Sequence, residues 1–176
     1  RITLLFEGVA TYATIYLNGC LIKRNFCGYT SFEVDITDFV DFKNENVLAV
    51  YVDTSNHEGW WYEGGGIYRH VWLIKTEKIY VDLWGLYISP QKLENDTWNV
   101  RARVCVCNSS YDDTDVDVHI GIDNNGETVL ASGIGAKIPS RSKREIEINT
   151  TVKEPVLWSL ENPHQYTAIA KVISNK

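Results

Sequence analysis

The sequence predicts an all-β protein built as two β-sandwich domains, residues 1–78 and 79–176. Three observations predict it. Apolar and polar residues alternate with a period of two through most of the chain, which places successive side chains on opposite faces of a strand. Helical spacing is almost absent. The alternating runs are separated by turn signals such as Asn18-Gly19 and Asn124-Asn125-Gly126, residue types that tolerate positive φ in tight hairpins.

In the first domain the pattern predicts short strands over about 2–8, 12–18, 30–35, 46–53 and 69–76. Asp35-Ile36-Thr37-Asp38-Phe39-Val40 offers capping side chains but too few residues for a stable helix, so one helical turn is expected there. Five strands are too few for a closed jelly roll of about eight, so this domain reads as a partial jelly roll with unpaired edges or an incomplete core. The polar stretch Lys75-Thr76-Glu77-Lys78 marks the boundary.

The second domain alternates more regularly. Every second residue is apolar around Val100, Ala102, Val104 and Val106. Val116, Val118, Ile120 and Ile122 alternate with Asp117, His119, Gly121 and Asp123, and Ile146 and Ile148 with Glu145 and Glu147. These are half-buried antiparallel strands. Around seven strands in about 100 residues match an immunoglobulin-like sandwich, here without the Cys-Trp-Cys signature.

With 44% apolar and 12% aromatic residues the chain is globular. Six Trp and ten Tyr exceed what a core of this size needs, which points some rings toward interfaces or stacking surfaces. The net charge of -6 and pI near 5.2 exclude a nucleic-acid partner held by clustered Lys and Arg. No apolar run approaches the roughly 20 residues of a membrane span, so no membrane partner is expected. Arg1-Ile2-Thr3-Leu4-Leu5-Phe6 starts inside a strand and the chain has no Met, so the sequence reads as cut from a longer protein. A soluble protein is expected, with a periplasmic or extracellular and a cytoplasmic compartment both open.

Four Cys are too few for a disulfide scaffold. Cys105 and Cys107 share one face of a strand, where neighbouring positions seldom meet disulfide geometry. Cys20 and Cys27 lie seven apart across a turn and leave one disulfide open beside four free thiols. No His or second Cys pair completes a zinc spacing, so no metal and no cofactor is expected.

The most specific segment is Trp60-Trp61-Tyr62-Glu63-Gly64-Gly65-Gly66-Ile67-Tyr68-Arg69, followed by the strand His70-Val71-Trp72-Leu73. It resembles the signature of family 2 glycoside hydrolases of the β-galactosidase type. Four more stretches fall in that family's order. They are Phe6-Glu7-Gly8-Val9-Ala10 through Asn18-Gly19, Gly28-Tyr29-Thr30-Ser31-Phe32-Glu33-Val34-Asp35-Ile36-Thr37, Asn46-Val47-Leu48-Ala49-Val50-Tyr51-Val52-Asp53, and Leu157-Trp158-Ser159-Leu160-Glu161-Asn162-Pro163-His164-Gln165-Tyr166. The resemblance covers nearly the whole chain. It implies a sugar-binding-like jelly-roll portion followed by an immunoglobulin-like domain.

In that family two glutamates about 5 Å apart on a (β/α)8 barrel do the chemistry, and this chain has no room for the barrel. Asn44-Glu45 sits in the polar turn Lys43-Asn44-Glu45-Asn46, so no catalytic residue is assigned. The resemblance implies that the loop 53–59 reaches the barrel's site, with Asn56, His57 and Glu58 as polar contacts for sugar hydroxyls. The competing reading is a solvated loop. Trp60 and Trp61 offer rings to a pyranose face or to a domain interface, and Arg24 and Asn25 form a second candidate loop. Gly64, Gly65, Gly66, Ile67, Tyr68 and Arg69 form a structural signature, in which glycines permit a tight turn and close approach and Arg69 is held by a carboxylate or backbone carbonyls. Trp158 and Tyr166 read as core or interface anchors.

The implied function is an accessory region of a glycoside hydrolase. Its partners are the missing barrel domain and, through the full-length enzyme, a β-galactoside-like carbohydrate. A stand-alone carbohydrate-binding module and a protein-interaction sandwich are the alternatives.

Overall fold

The computed structural model describes residues 1–55 and 64–174. The described residues form an all-β structure of fourteen strands and one three-residue 3₁₀ turn. The chain divides into two compact units, Arg1–Glu77 and Lys78–Lys176.

The first unit contains β1 (Ile2–Phe6), β2 (Val9–Ala10), β3 (Tyr12–Leu17), β4 (Cys20–Asn25), β5 (Phe32–Asp35), β6 (Leu48–Asp53), β7 (Gly66–Ile67) and β8 (Val71–Lys75). They pair as sheets β5-β1-β8 and β4-β3-β6 and the short ribbon β2-β7. Alternation decides which side is buried. Leu4, Phe6, Phe32 and Val34 of the first sheet pack with Ala13, Ile15 and Leu17 of the second, and the rings of Phe6 and Phe32 stack at 4.9 Å. Each of these side chains other than Ala13 contributes about 1.5–3 kcal/mol on full burial.

Asn18 (φ 52°) and Gly19 (φ 80°) make the expected hairpin turn between β3 and β4. The 3₁₀ turn Thr37–Phe39 starts on Asp35, whose Oδ1 accepts from the Thr37 amide at 3.0 Å and its hydroxyl at 2.6 Å. Strands β2, β4 and β7 were not expected from the pattern. In β4 a register shift at Ile15/Tyr16 leaves Leu21 46% exposed, so its residues do not alternate cleanly. β2 and β7 have two residues each, too short for any periodicity. Among the described residues β6 pairs only with β3 and β8 only with β1, and both edges carry exposed apolar groups, Tyr51 and Leu73 among them.

The second unit contains β9 (Ile79–Lys92), β10 (Thr97–Asn108), β11 (Thr114–Asn124), β12 (Glu127–Ile138), β13 (Ser142–Lys153) and β14 (Thr167–Ser174). Sheets β13-β10-β9 and β12-β11-β14 face each other across one core. Ala102, Val104, Val106, Ile146 and Ile148 meet Val116, Val118, Ile120 and Ile122 there. Asn125 (φ 52°) and Gly126 (φ 92°) close the β11–β12 hairpin as expected.

The described strands number six rather than about seven, because β9 runs through a large bulge instead of ending. Val104 pairs with Leu86 and Val106 with Val81, so Asp82, Leu83, Trp84 and Gly85 all stand opposite Cys105. Trp84 takes φ 59°. A Cβ on Gly85 would lie 2.8 Å from the Asp82 carbonyl oxygen, so only glycine fits.

Candidate functional site

The candidate loop 53–62 starts at one end of sheet β4-β3-β6, and Arg24 and Asn25, expected in a second loop, are instead the last two residues of strand β4, paired with Thr14 and Ala13. Ala13 on β3 pairs with Asn25 on one side and Val52 on the other, and the next rung joins Tyr12 to Asp53. Residues 24–26 and the start of loop 53–62 thus flank one strand. Phe26 closes edge-to-face on Tyr12 at 5.7 Å, and the Asn25 side-chain Nδ2 donates to the Cys27 carbonyl at 2.7 Å. Arg24 is exposed on the β4 edge.

The loop start is fixed by Asp53, whose Oδ1 accepts from the Ser55 amide at 2.9 Å and the Ser55 hydroxyl at 2.6 Å. Those donors hold its carboxyl below the usual range. The far end is fixed by glycine. A Cβ on Gly65 would lie 2.6 Å from Thr54 Cγ2, so the missing side chain lets the two ends of the loop close on each other. Gly66 adopts φ 126° and, with Ile67, pairs with Val9 and Ala10.

The rest of the signature is a backbone clamp. The Tyr68 ring lies over Gly8, where a Cβ would come within 2.6 Å of it. Its hydroxyl donates to the Gly28 carbonyl at 2.6 Å, and its amide donates to the Gly8 carbonyl at 3.3 Å. Gly28 in turn packs on Ala10. Arg69 is exposed, with its guanidinium 5.7 Å from the Tyr68 ring centre, and makes no ion pair among the described residues. Among the described residues none lies within 4 Å of a Cβ placed on Gly64. Asn56, His57, Glu58, Trp60 and Trp61 lie outside the described residues.

Two features beside this rim had no sequence signal. Cys27 is exposed, and a hydrogen bond from Thr30 holds its thiol below the ordinary range. Glu7 accepts from the Trp72 indole at 2.9 Å and meets His70 Nδ1 at 3.0 Å, and these contacts, the indole first, lower its carboxyl. The Glu7 contacts depend on partners more than sixty positions away in sequence.

In the second unit Asn108 is buried and donates to the Ile138 carbonyl at 3.1 Å. Cys105, Cys107 and Asp82 converge on the outer face of sheet β13-β10-β9, their donor atoms within 4.8 Å of one another. Burial and the Asp82 charge raise both thiols, Cys107 to about 11. All four cysteines are free. Tyr166 packs on the core, whereas Trp158 is 58% exposed. Both line a 350 Å³ cavity at one end of the sandwich with Trp98, Val152, Val156 and His164. No described helix is long and apolar enough to cross a membrane.

Comparison with known proteins gives a consistent picture. The profile of glycosyl hydrolases family 2 matches residues 79–176, and that of the glycosyl hydrolase 2 galactose-binding domain-like family matches residues 1–65. The chain is similar to the β-galactosidase BoGH2A of Bacteroides ovatus, 31% identical over 173 residues, covering 97% of this chain and 20% of that protein. A β-glucuronidase of Formosa agariphila is 25% identical over 194 residues, covering 98% of this chain and 20% of its own length. A solved family 2 glycosyl hydrolase from Bacteroides cellulosilyticus superposes with a TM-score of 0.92 at 30% identity, over 99% of this chain and 24% of that one. The chain therefore spans about a fifth of the length of the curated relatives it matches.

Proposed function

The chain belongs to glycosyl hydrolase family 2, and from that premise we propose that it is the non-catalytic front region of a retaining β-galactosidase-type enzyme. In this reading it positions a catalytic barrel lying elsewhere in the protein and lends the loop 53–62 to that barrel's sugar site. Asn56, His57 and Glu58 then exchange hydrogen bonds with sugar hydroxyls. Trp60 or Trp61 offers a ring to the apolar face of a pyranose, and Arg24 and Asn25 border the same opening. The two glutamates that protonate and attack the glycosidic bond belong to the barrel.

One observation carries the reading. Loop 53–62 is gripped at both ends, by the Asp53–Ser55 turn and by the close approach of Thr54 to Gly65, while β6 and β7 anchor its flanks. A loop with fixed ends holds contact groups with less ordering cost than a free one. The galactoside preference rests on the likeness to BoGH2A.

The test has two parts. The purified chain should not release nitrophenol from p-nitrophenyl β-galactoside, and turnover that follows the protein through repurification would end the accessory reading. In the longer enzyme containing this segment, Asn56→Ala and His57→Ala should each raise KM roughly 10-fold with a smaller change in kcat. Unchanged kinetics would remove the loop from the site. Faster hydrolysis of the β-glucuronide than of the β-galactoside would keep the accessory role and overturn the sugar.

A further inference from the structure

We propose that Asp82, Cys105 and Cys107 form a binding site for a thiophilic divalent cation of the zinc class on the outer face of the second unit. The inference is independent of the sugar-site reading, since all three residues belong to sheet β13-β10-β9.

The donor set comes first. Period-two geometry puts the Cys105 and Cys107 side chains on the same face of β10, opposite to the core-facing Val104 and Val106. They are free thiols, and adjacent same-face positions on a strand do not suit a disulfide. The third donor arrives through the bulge. A regular β9 would place one residue opposite Cys105, but four residues stand there, and the first of them is Asp82. Bulges re-aim side chains, and this one brings the Asp82 Oδ2 atom to 3.8 Å from Cys105 Sγ.

Distances fit next. Zinc takes thiolate sulfur at about 2.3 Å and carboxylate oxygen at about 2.0–2.2 Å in tetrahedral array, which sets donor atoms about 3.5–3.8 Å apart. Here all three already lie within 4.8 Å of one another. Side-chain rotation by about 1 Å closes the set around a cation, with water in the fourth position. Two sulfur donors select the zinc class over magnesium or calcium, which prefer all-oxygen shells.

Charge is also balanced. Binding forms two metal–sulfur bonds and one metal–oxygen bond and releases two thiol protons to solvent. Two thiolates and a carboxylate around a divalent cation leave one negative charge. Lys143, on β13 directly across from Cys107, supplies the opposite charge with Nζ 3.4 Å from Asp82 Oδ2. Arg103 and Glu145, also on this face, pair with each other at 3.6 Å, and Arg101 and Glu147 lie further along the same two strands.

The experiment uses the whole chain carrying Cys20→Ser and Cys27→Ser, reduced and metal-free, so that no other thiol answers. Cd²⁺ titration should raise an ultraviolet thiolate-to-metal charge-transfer band that saturates at one cation per chain. Zn²⁺ should displace it in competition with a chromophoric chelator. Adding Cys105→Ser or Cys107→Ser should cut the band by about half and weaken binding roughly 100-fold, and Asp82→Asn should weaken it roughly 10-fold. Circular dichroism of each variant checks folding. Should Cys107→Ser fail to fold, the variants at the half-buried Cys105 and Asp82, Cys105→Ser and Asp82→Asn, still decide. No band at one equivalent of Cd²⁺, a ratio of one cation per two chains, or a band unchanged by both Cys105→Ser and Asp82→Asn would overturn the site.

Discussion

The Tyr68 hydroxyl donates to the carbonyl of Gly28 at 2.6 Å, across forty positions of sequence. The same ring packs against Gly8, where no Cβ fits. One tyrosine thereby joins three separated motifs, Phe6-Glu7-Gly8-Val9, Gly28-Tyr29-Thr30 and Gly66-Ile67-Tyr68-Arg69, into one clamp beside the candidate loop.

Tyr68→Phe should lower the stability of the first unit by about 1 kcal/mol, the typical net worth of one hydrogen bond. Gly8→Ala should cost about 1–3 kcal/mol, because the tied ring cannot retreat from the new methyl group. Urea denaturation of each variant against the parent chain checks both, and equal stability for Gly8→Ala would contradict the clamp.

In the second unit the test falls on the bulge. Gly85→Ala pushes a Cβ against the Asp82 backbone rather than against a flexible side chain, so a loss of about 1–3 kcal/mol is expected. Val81→Ala, a core truncation on the same strand, serves as the comparison in the same denaturation series. A neutral Gly85→Ala would mean that the bulge relaxes easily.

Glu7 provides the pH dependence. Its carboxyl is lowered from the ordinary 4.5, first by the Trp72 indole and then by His70, so the folded state favours the ionised form. The resulting stabilisation is present above the unfolded value and is lost as pH falls through the lower folded value. Glu7→Gln should therefore differ from the parent at neutral pH and converge with it in acid. Trp72→Phe should move the Glu7 titration upward, as read by carboxyl NMR, and an unmoved titration would remove the indole as its cause.

Tyr166→Phe removes the hydroxyl that accepts from the Val156 amide at 2.9 Å. A loss of about 0.5–1.5 kcal/mol is expected. Faster amide exchange at Val156 should accompany it, and unchanged exchange there would mean that the 154–166 segment is held by other contacts.

Much of the fold was legible in the sequence because its signals are local. Alternation such as Val116-Asp117-Val118-His119-Ile120 needs only neighbouring residues to declare a strand with one buried face. Asn18-Gly19 and Asn125-Gly126 declare their turns through backbone sterics alone. Family membership was legible in the order of motifs. β4 was not, because a register shift broke its alternation, nor were β2 and β7, which exist only as partners of each other. The candidate loop was named from its residues, and the structure adds where its ends are fixed and that Asn25 and Val52 flank the same Ala13.

The sequence by itself thus determined the all-β class, the strands with clean alternation, the tight turns and the family. Each follows from periodicity, φ preference or motif order within short windows. Only the tertiary structure decided that Tyr68 would seat on Gly8 and bond Gly28, and that Asp82 would swing over Cys105 and Cys107. Those contacts join residues tens of positions apart, and they depend on register shifts and glycine-sized gaps that arise only when strands pair.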